Sequence, residues 1–221
     1  MTSRRCSSST VKEGEIVEVE PSFTVATAAK PKELITKAVT SPRTPKVYLR
    51  APTKDDQQEL LALNRSSRKF HRGLVAPAKE PAQYLSLLER ASSDSFAYFL
   101  VCRKKDDCIL GIINLSQIFH GPFRNAYLGY YIGEKHARQG YMTEALQLML
   151  VHAFTKLKLH RLEANIQPGN TASIALVKRA GFVCEGFSRR YLKIGGRWRD
   201  HERWAIVAED WKAQTKKDRK R

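Results

Sequence analysis

The stretch from Ala126 to Gly181 constrains the fold more than any other part of the chain. An apolar run, Tyr127 to Ile132, reads as a strand; a turn holding Arg138-Gln139-Gly140 follows, and then a helix whose Leu146, Met149, Leu150, Ala153 and Leu157 fall on one face. The pattern continues as a strand from Arg161 to Gln167, the turn Pro168-Gly169, and a short helix that Asn170 or Thr171 caps and Gly181 ends. Glycine where a strand turns into a helix lets backbone N–H groups point at an anion with no side chain in the way. The first expectation is therefore a phosphate-bearing ligand at the Gln139 to Thr143 turn.

The flanking sequence sets the order of the remaining elements. Residues 1–44 are rich in Ser, Thr, Pro and alternating charge and read as a mobile arm. Val47 to Leu49 reads as a first strand, and Thr53 with Asp56 three residues on opens a helix through about Asn64. A second helix follows Pro81, with Tyr84, Leu85, Leu88 and Ala91 on one side. Between the two, Arg65 to Gly73 reads as a basic loop carrying Phe70 and His71. Phe96 to Arg103 and Cys108 to Leu115 pair as a hairpin across Lys104 to Asp107, and a loop holding His120 leads into the Tyr127 strand. Phe182 to Lys193 and Arg197 to Val207 flank Gly195-Gly196, the dipeptide that two-residue hairpins favour. The result is one α+β domain over residues 45–211, followed by a basic, frayed tail from Lys212 to Arg221.

Charge narrows the partners. Lys and Arg number 39 against 22 Asp and Glu, a net charge of +17. The excess is +2 over residues 1–44, +10 over 45–211 and +5 over 212–221, so the folded part carries most of it. A field of that sign concentrates anionic partners: rRNA, a nucleotide-like cofactor or acidic protein surfaces. A basic enzyme with no nucleic-acid partner accounts for it equally well. Cys6, Cys102, Cys108 and Cys184 show no metal-ligand spacing, so no metal is expected, and Cys102 and Cys184 read as buried thiols in a reducing compartment. No apolar run approaches the roughly 20 residues that span a bilayer, and Glu13, Glu15, Glu18 and Glu20 argue against a transit peptide; the expectation is a cytoplasmic protein with no membrane partner.

Four words of sequence then carry a family resemblance: GYMTEAL (Gly140 to Leu146), HRLEANIQPGNTAS (His160 to Ser173), RAGFVCEGF (Arg179 to Phe187) and YLKIGGRWRDH (Tyr191 to His201). In this order they resemble the GNAT acetyltransferases, and more narrowly the RimJ/RimL-type ribosomal-protein-alanine N-acetyltransferases. The resemblance covers nearly the whole domain. It implies the GNAT fold, a mixed and mostly antiparallel sheet of about seven strands splayed in the middle and flanked by about four helices. It also implies acetyl-CoA as cosubstrate and direct attack by an amine. The acceptor implied is the N-terminal Ala or Ser of a ribosomal protein, with ribosome or rRNA contact through the basic surface. Other readings are a GNAT acting on an antibiotic, polyamine or amino acid, and a non-catalytic CoA- or RNA-binding module.

The resemblance also assigns residues. Tyr131 and Ile132, with Tyr130, would pair with the pantetheine amides, and the amides of Arg138, Gln139, Gly140, Tyr141, Met142 and Thr143 would hold the pyrophosphate. The family pattern R/Q-x-x-G-x-G/A has Ala137 first and Met142 last here, and Arg138 stands ready to supply the missing polar group. Asn170 would touch the pantetheine arm, and Ser173 would donate to the departing thiolate, since the tyrosine that does this elsewhere falls at Val177. Positions that supply a base in relatives are Asn165 and Arg190, and neither accepts a proton. Glu163, on the same strand face as Asn165, is the candidate that remains, against an equal reading as a carboxylate paired with Lys or Arg. Phe70, His120 and Tyr191 are the candidate acceptor-groove residues.

An α-amino group, with a pKa near ~8, is partly neutral at physiological pH, whereas a lysine near ~10.4 needs a strong base. A site without an obvious base therefore favours an N-terminal amine.

Overall fold

The computed structural model describes residues 45–219; the expectations for residues 1–44, including the arm and Cys6, lie outside the described residues. Seven strands make a sheet: β1 (Val47–Arg50), β2 (Phe96–Arg103), β3 (Ile109–Ser116), β4 (Asn125–Ile132), β5 (Arg161–Ile166), β6 (Val183–Ile194) and β7 (Arg197–Val207). Their order is β1-β2-β3-β4-β5-β7-β6, and every neighbouring pair is antiparallel except β4 with β5. Six helices accompany them: α1 (Gln57–Ser66), α2 (Arg68–His71), α3 (Pro81–Ala91), α4 (Tyr141–Val151), α5 (Thr171–Arg179) and α6 (Ala208–Arg219).

Strand alternation sorts the two faces of the sheet. Leu128, Leu162, Ala164, Ile166, Trp204 and Ile206 point to one face, where they share a core with α4 and α5. Leu100, Cys102, Ile109 and Ile112 point to the other and meet Leu60, Leu61 and Leu63 of α1 and Tyr84 and Leu87 of α3. Helix α4 buries Met142, Ala145, Leu146, Leu148, Met149 and Leu150, so it is apolar around most of its circumference, as a central helix must be. At the start of α1, Asp56 Oδ2 accepts from the Thr53 N–H and from Arg50 Nη1, both at 2.7 Å, which ties the helix to the end of β1.

Four local expectations are corrected. The Arg65 to Gly73 connection is not a solvated loop: Arg68 to His71 form a helical turn, because Ser67 and His71 turn inward. Ser67 Oγ accepts from the Glu134 N–H at 3.0 Å, and His71 Nε2 donates to the Ile132 carbonyl at 2.8 Å. Leu157 packs against the same core as Leu146 and Met149 but is only half-buried, and the helix does not run on regularly to it, because α4 passes into a wider π turn over His152 to Lys156. Cys184 is exposed rather than buried, since β6 is an edge strand whose register shifts beside it. The polar tail continues α6 through Arg219, anchored by buried Trp211 against Phe154 at 5.3 Å between ring centroids.

Candidate active site

The parallel pair β4 and β5 is joined only at Asn125, Ala126 and Tyr127, opposite Arg161, Leu162 and Glu163. Beyond Tyr127 the two strands part, while β4 stays paired with β3 as far as Ile132 opposite Gly111. The Gly133 N–H donates to the Leu110 carbonyl at 2.8 Å, so by alternation Leu128, Tyr130 and Ile132 direct their N–H and C=O groups into the gap. Unpaired strand groups inside a molecule ask for a partner. The Ile132 carbonyl has His71; the Tyr130 groups face open space suited to an extended, amide-bearing arm.

At the end of β4 the chain turns into α4. Arg138 (φ 60°) and Gly140 (φ 83°) are both left-handed, and the Gln139 side chain returns to the Lys135 carbonyl at 2.8 Å to hold the turn. The Thr143 and Glu144 N–H groups donate to the Gly140 carbonyl. Among the described residues nothing accepts from the N–H groups of Arg138, Gln139, Gly140, Tyr141 or Met142. Five consecutive free donors at the positive end of a helix, with Arg138 exposed beside them, form a concavity for an anion. A Cβ built on Gly140 meets no atom within 4 Å, so the space above the turn is open. This donor set fits a pyrophosphate.

Helix α5 closes the gap from the core side. Asn170 Oδ1 accepts from the Ser173 N–H at 3.2 Å, the capping bond expected of it. The Tyr130 hydroxyl donates to the Ser173 carbonyl at 3.5 Å. Burial pushes the Tyr130 phenol up to about 12, against a smaller opposing effect of its hydrogen bond to Ser173, so it stays a neutral donor at physiological pH. The strand pattern points only to the Tyr130 backbone, and no local pattern signals a side-chain contact with a residue 43 positions away.

Glu163 lies on the opposite face of β5 from Leu162 and Ala164, hence opposite the α5 side. Its Oε1 accepts from Arg161 Nε at 2.9 Å and Asn125 Nδ2 at 3.2 Å, and Arg161 is held in turn by Glu185. Its second oxygen has no donor among the described residues. Tyr191, in the irregular part of β6, sits 6.2 Å from the His201 ring, on the same face as Glu163. Arg190 (φ 49°) makes that irregularity, with its N–H on Asp200 Oδ1 at 2.7 Å.

Phe70 is exposed on α2, its ring 5.5 Å from His71, which packs edge-on to Tyr131 at 5.3 Å. Burial lowers the His71 pKa, so the ring is neutral at pH 7. His120 is exposed in the loop before Asn125, at the other end of β4 from Gly140. Eight residues at about 3.4 Å each separate those ends, so His120 lies far from the donor turn, at the Asn125 end of β4 to which Glu163 is hydrogen-bonded.

A cavity of about 530 Å³ lies on the α3 side of the sheet, between the Val75 to Ala78 segment and Asn114, Gly129, Tyr130 and Tyr131, and so reaches the β4 edge of the gap. Burial pushes the Cys102 thiol up to about 11, which excludes it as a nucleophile. No helix among the described residues is long and apolar enough to cross a membrane.

Comparison with known proteins agrees with this geometry. Residues 46–183 match the model of the acetyltransferase (GNAT) domain. The probable N-acetyltransferase YjcK of Bacillus subtilis is 33% identical over 175 residues, 74% of this chain and 95% of that protein. The [ribosomal protein uS5]-alanine N-acetyltransferase of Escherichia coli is 39% identical over 114 residues, covering 52% of this chain and 59% of the relative. The structure of Mycobacterium smegmatis RimJ in complex with CoA-disulfide superposes with a TM-score of 0.70 at 29% identity, over 76% of this chain and 85% of that one. An open sheet split between two parallel strands, with a donor turn at the split, defines the class, an acyl-CoA-dependent transferase. This chain belongs to the GNAT acetyltransferase family; it is an N-acetyltransferase and acetyl-CoA is its cosubstrate.

Proposed function

We propose that the acceptor is the N-terminal amine of a protein, a ribosomal protein beginning with Ala or Ser, and that the transfer takes place in the gap beside Tyr130. The observation that carries this reading is the meeting of the donor turn, the Tyr130–Ser173 contact and the cavity over Gly129 at that one gap. The 39% identity to the uS5-alanine enzyme supports the acceptor class. In this assignment the free amides from Arg138 to Met142 hold the pyrophosphate with Thr143, whose own N–H is spent on the Gly140 carbonyl, beside them, and Tyr131, Ile132 and Asn170 flank the pantetheine arm. Phe70 and Tyr191 wall the acceptor. Acetyl-CoA brings an activated thioester; the protein's part is to hold it, exclude water and steer protons. Steady-state kinetics with acetyl-CoA will show turnover of Ala- and Ser-initiated peptides and poor turnover of spermidine. Turnover of spermidine alone would reject the acceptor class and leave the fold untouched.

Ser173 is proposed to give a hydrogen bond to the departing thiolate, with Tyr130 keeping α5 at the gap. Ser173→Ala will lower kcat about 10²-fold with little change in the affinity for CoA; an unchanged kcat returns Ser173 to helix capping alone. Glu163 is proposed to take the amine proton through water at its free oxygen. Since the α-amino group is already neutral above its pKa near ~8, Glu163→Gln will depress the rate at pH 7 about tenfold and approach wild type near pH 9. A profile of wild-type shape and height removes Glu163 from the mechanism.

A further inference from the structure

A second cavity, of about 510 Å³, opens between the connection that follows α1 and the tip of the β6–β7 hairpin at Ile194 and Gly195. Arg68, Lys69, Arg72 and Lys79 line it, and no carboxylate does. Among the described residues none of these four cations pairs with an acid; the one ion pair nearby, Arg65 with Glu80, lies outside the lining. The two walls share this bias in sequence. Arg65 to Lys79 holds five Lys or Arg and no Asp or Glu, and Arg189 to Asp200 holds five against one. The remaining titratable lining residue, His71, is neutral because burial lowers its pKa.

Cations gathered around a concavity without a counter-charge repel one another and focus a positive potential into it. A carboxylate entering there relieves that repulsion and accepts from two or more of the donors at once. The volume takes a few side chains and is far too small for a nucleic-acid duplex. Val75, Ala76 and Pro77 wall this cavity and also the one beside Gly129 and Tyr130, so the two adjoin across that segment and the residues that follow an amine held at Tyr130 have this cavity as a neighbour.

We propose that this basic cavity binds acidic side chains of the acceptor, so that the preferred substrate is an N-terminus followed closely by Asp or Glu. The inference rests on the reading of the acceptor as a protein N-terminus and adds a charge rule to it. The same chemistry excludes polyamines, whose cations would face four others.

The experiment separates binding from turnover. Fluorescence anisotropy on CoA-saturated enzyme compares labelled peptides with unreactive ends, acetyl-Ala-Asp-Glu-Asp-Gly and acetyl-Ala-Lys-Lys-Lys-Gly, and the free-amine forms are assayed in parallel. The acidic peptide is expected to bind at least tenfold more tightly, with the difference shrinking in ~0.5 M salt. The exposed pair Arg68→Glu/Arg72→Glu is expected to reverse the preference while the melting temperature and the Kd for CoA stay unchanged. Equal affinity for the two peptides, binding of neither, or an equal loss of both in the double variant overturns the proposal. So does displacement of the acidic peptide by a single-stranded RNA oligomer at lower concentration, which would assign the cavity to RNA. Failure to acetylate either free-amine peptide, with the binding preference intact, would instead count against the acceptor class.

Discussion

Replacing Gly140 with alanine will weaken CoA binding by about tenfold or more and leave the protein folded. Gly140 has φ +83°, where an L side chain costs about 1–2 kcal/mol, so some stability is lost in any case. No protein atom lies within 4 Å of the new methyl, so there is no internal clash to add. The methyl instead enters the open space that the free N–H groups from Arg138 to Met142 face. A pyrophosphate held by those donors must approach the backbone closely, and a methyl group keeps it away. Gly121→Ala is the matched control. Gly121 has φ +68°, its Cβ also meets nothing within 4 Å, and it sits in the β3–β4 loop at the far end of the sheet. Both variants should lose similar stability in a thermal melt, but calorimetric titration with CoA should move only for Gly140→Ala. An equal Kd in all three proteins would show that the turn does not carry the anion.

Gly140 was readable from the sequence because a glycine between a strand pattern and a helix pattern has one common structural use. The same holds for Gly195-Gly196, which take φ 57° and 81° in the two-residue turn between Ile194 and Arg197. Sheet membership was also legible, since the strand runs are long and apolar. The role of His71 was not. A histidine in a polar, basic segment carries no periodic signal, and its partner, the Ile132 carbonyl, lies 61 residues away. Cys184 failed for a related reason. Alternation assumes a regular strand, but the register of β6 shifts between Cys184 and Gly186 and again between Ser188 and Leu192, which leaves Val183 and Phe187 as well as Cys184 exposed. In α6, Ala208 and Trp211 join the helix to the core, and the Lys, Asp and Gln that follow Trp211 carry no apolar stripe, so that stretch reads as a tail. What the sequence hid in each case is tertiary: a distant partner or a local break in strand register.

The sheet itself sets the largest stability effect. Gly111 in β3 sits opposite Ile132 at the end of β4, and a Cβ there would lie 2.2 Å from the Tyr131 carbonyl oxygen and 2.8 Å from Ile132 Cα. Both are backbone atoms of a paired strand, so neither can swing away as a side chain does. Gly133 offers the contrast: its Cβ would lie 2.4 Å from Leu63 Cδ1, the tip of a side chain that has other rotamers. Gly133→Ala should cost about 1–3 kcal/mol, the usual range for overpacking. Gly111→Ala should cost more, about 3–5 kcal/mol, because relief requires β4 to move as a unit. For a domain of this size that is a fall in melting temperature of roughly 10 °C or more. Since the moving strand carries Tyr130, Tyr131 and Ile132 at the gap, whatever Gly111→Ala protein does fold should also show a raised KM for acetyl-CoA. Gly133→Ala, by contrast, should keep the wild-type KM. A melting temperature for Gly111→Ala within a few degrees of wild type would mean that β3 and β4 are looser at this end than the register implies, and that the gap is not held open by their pairing.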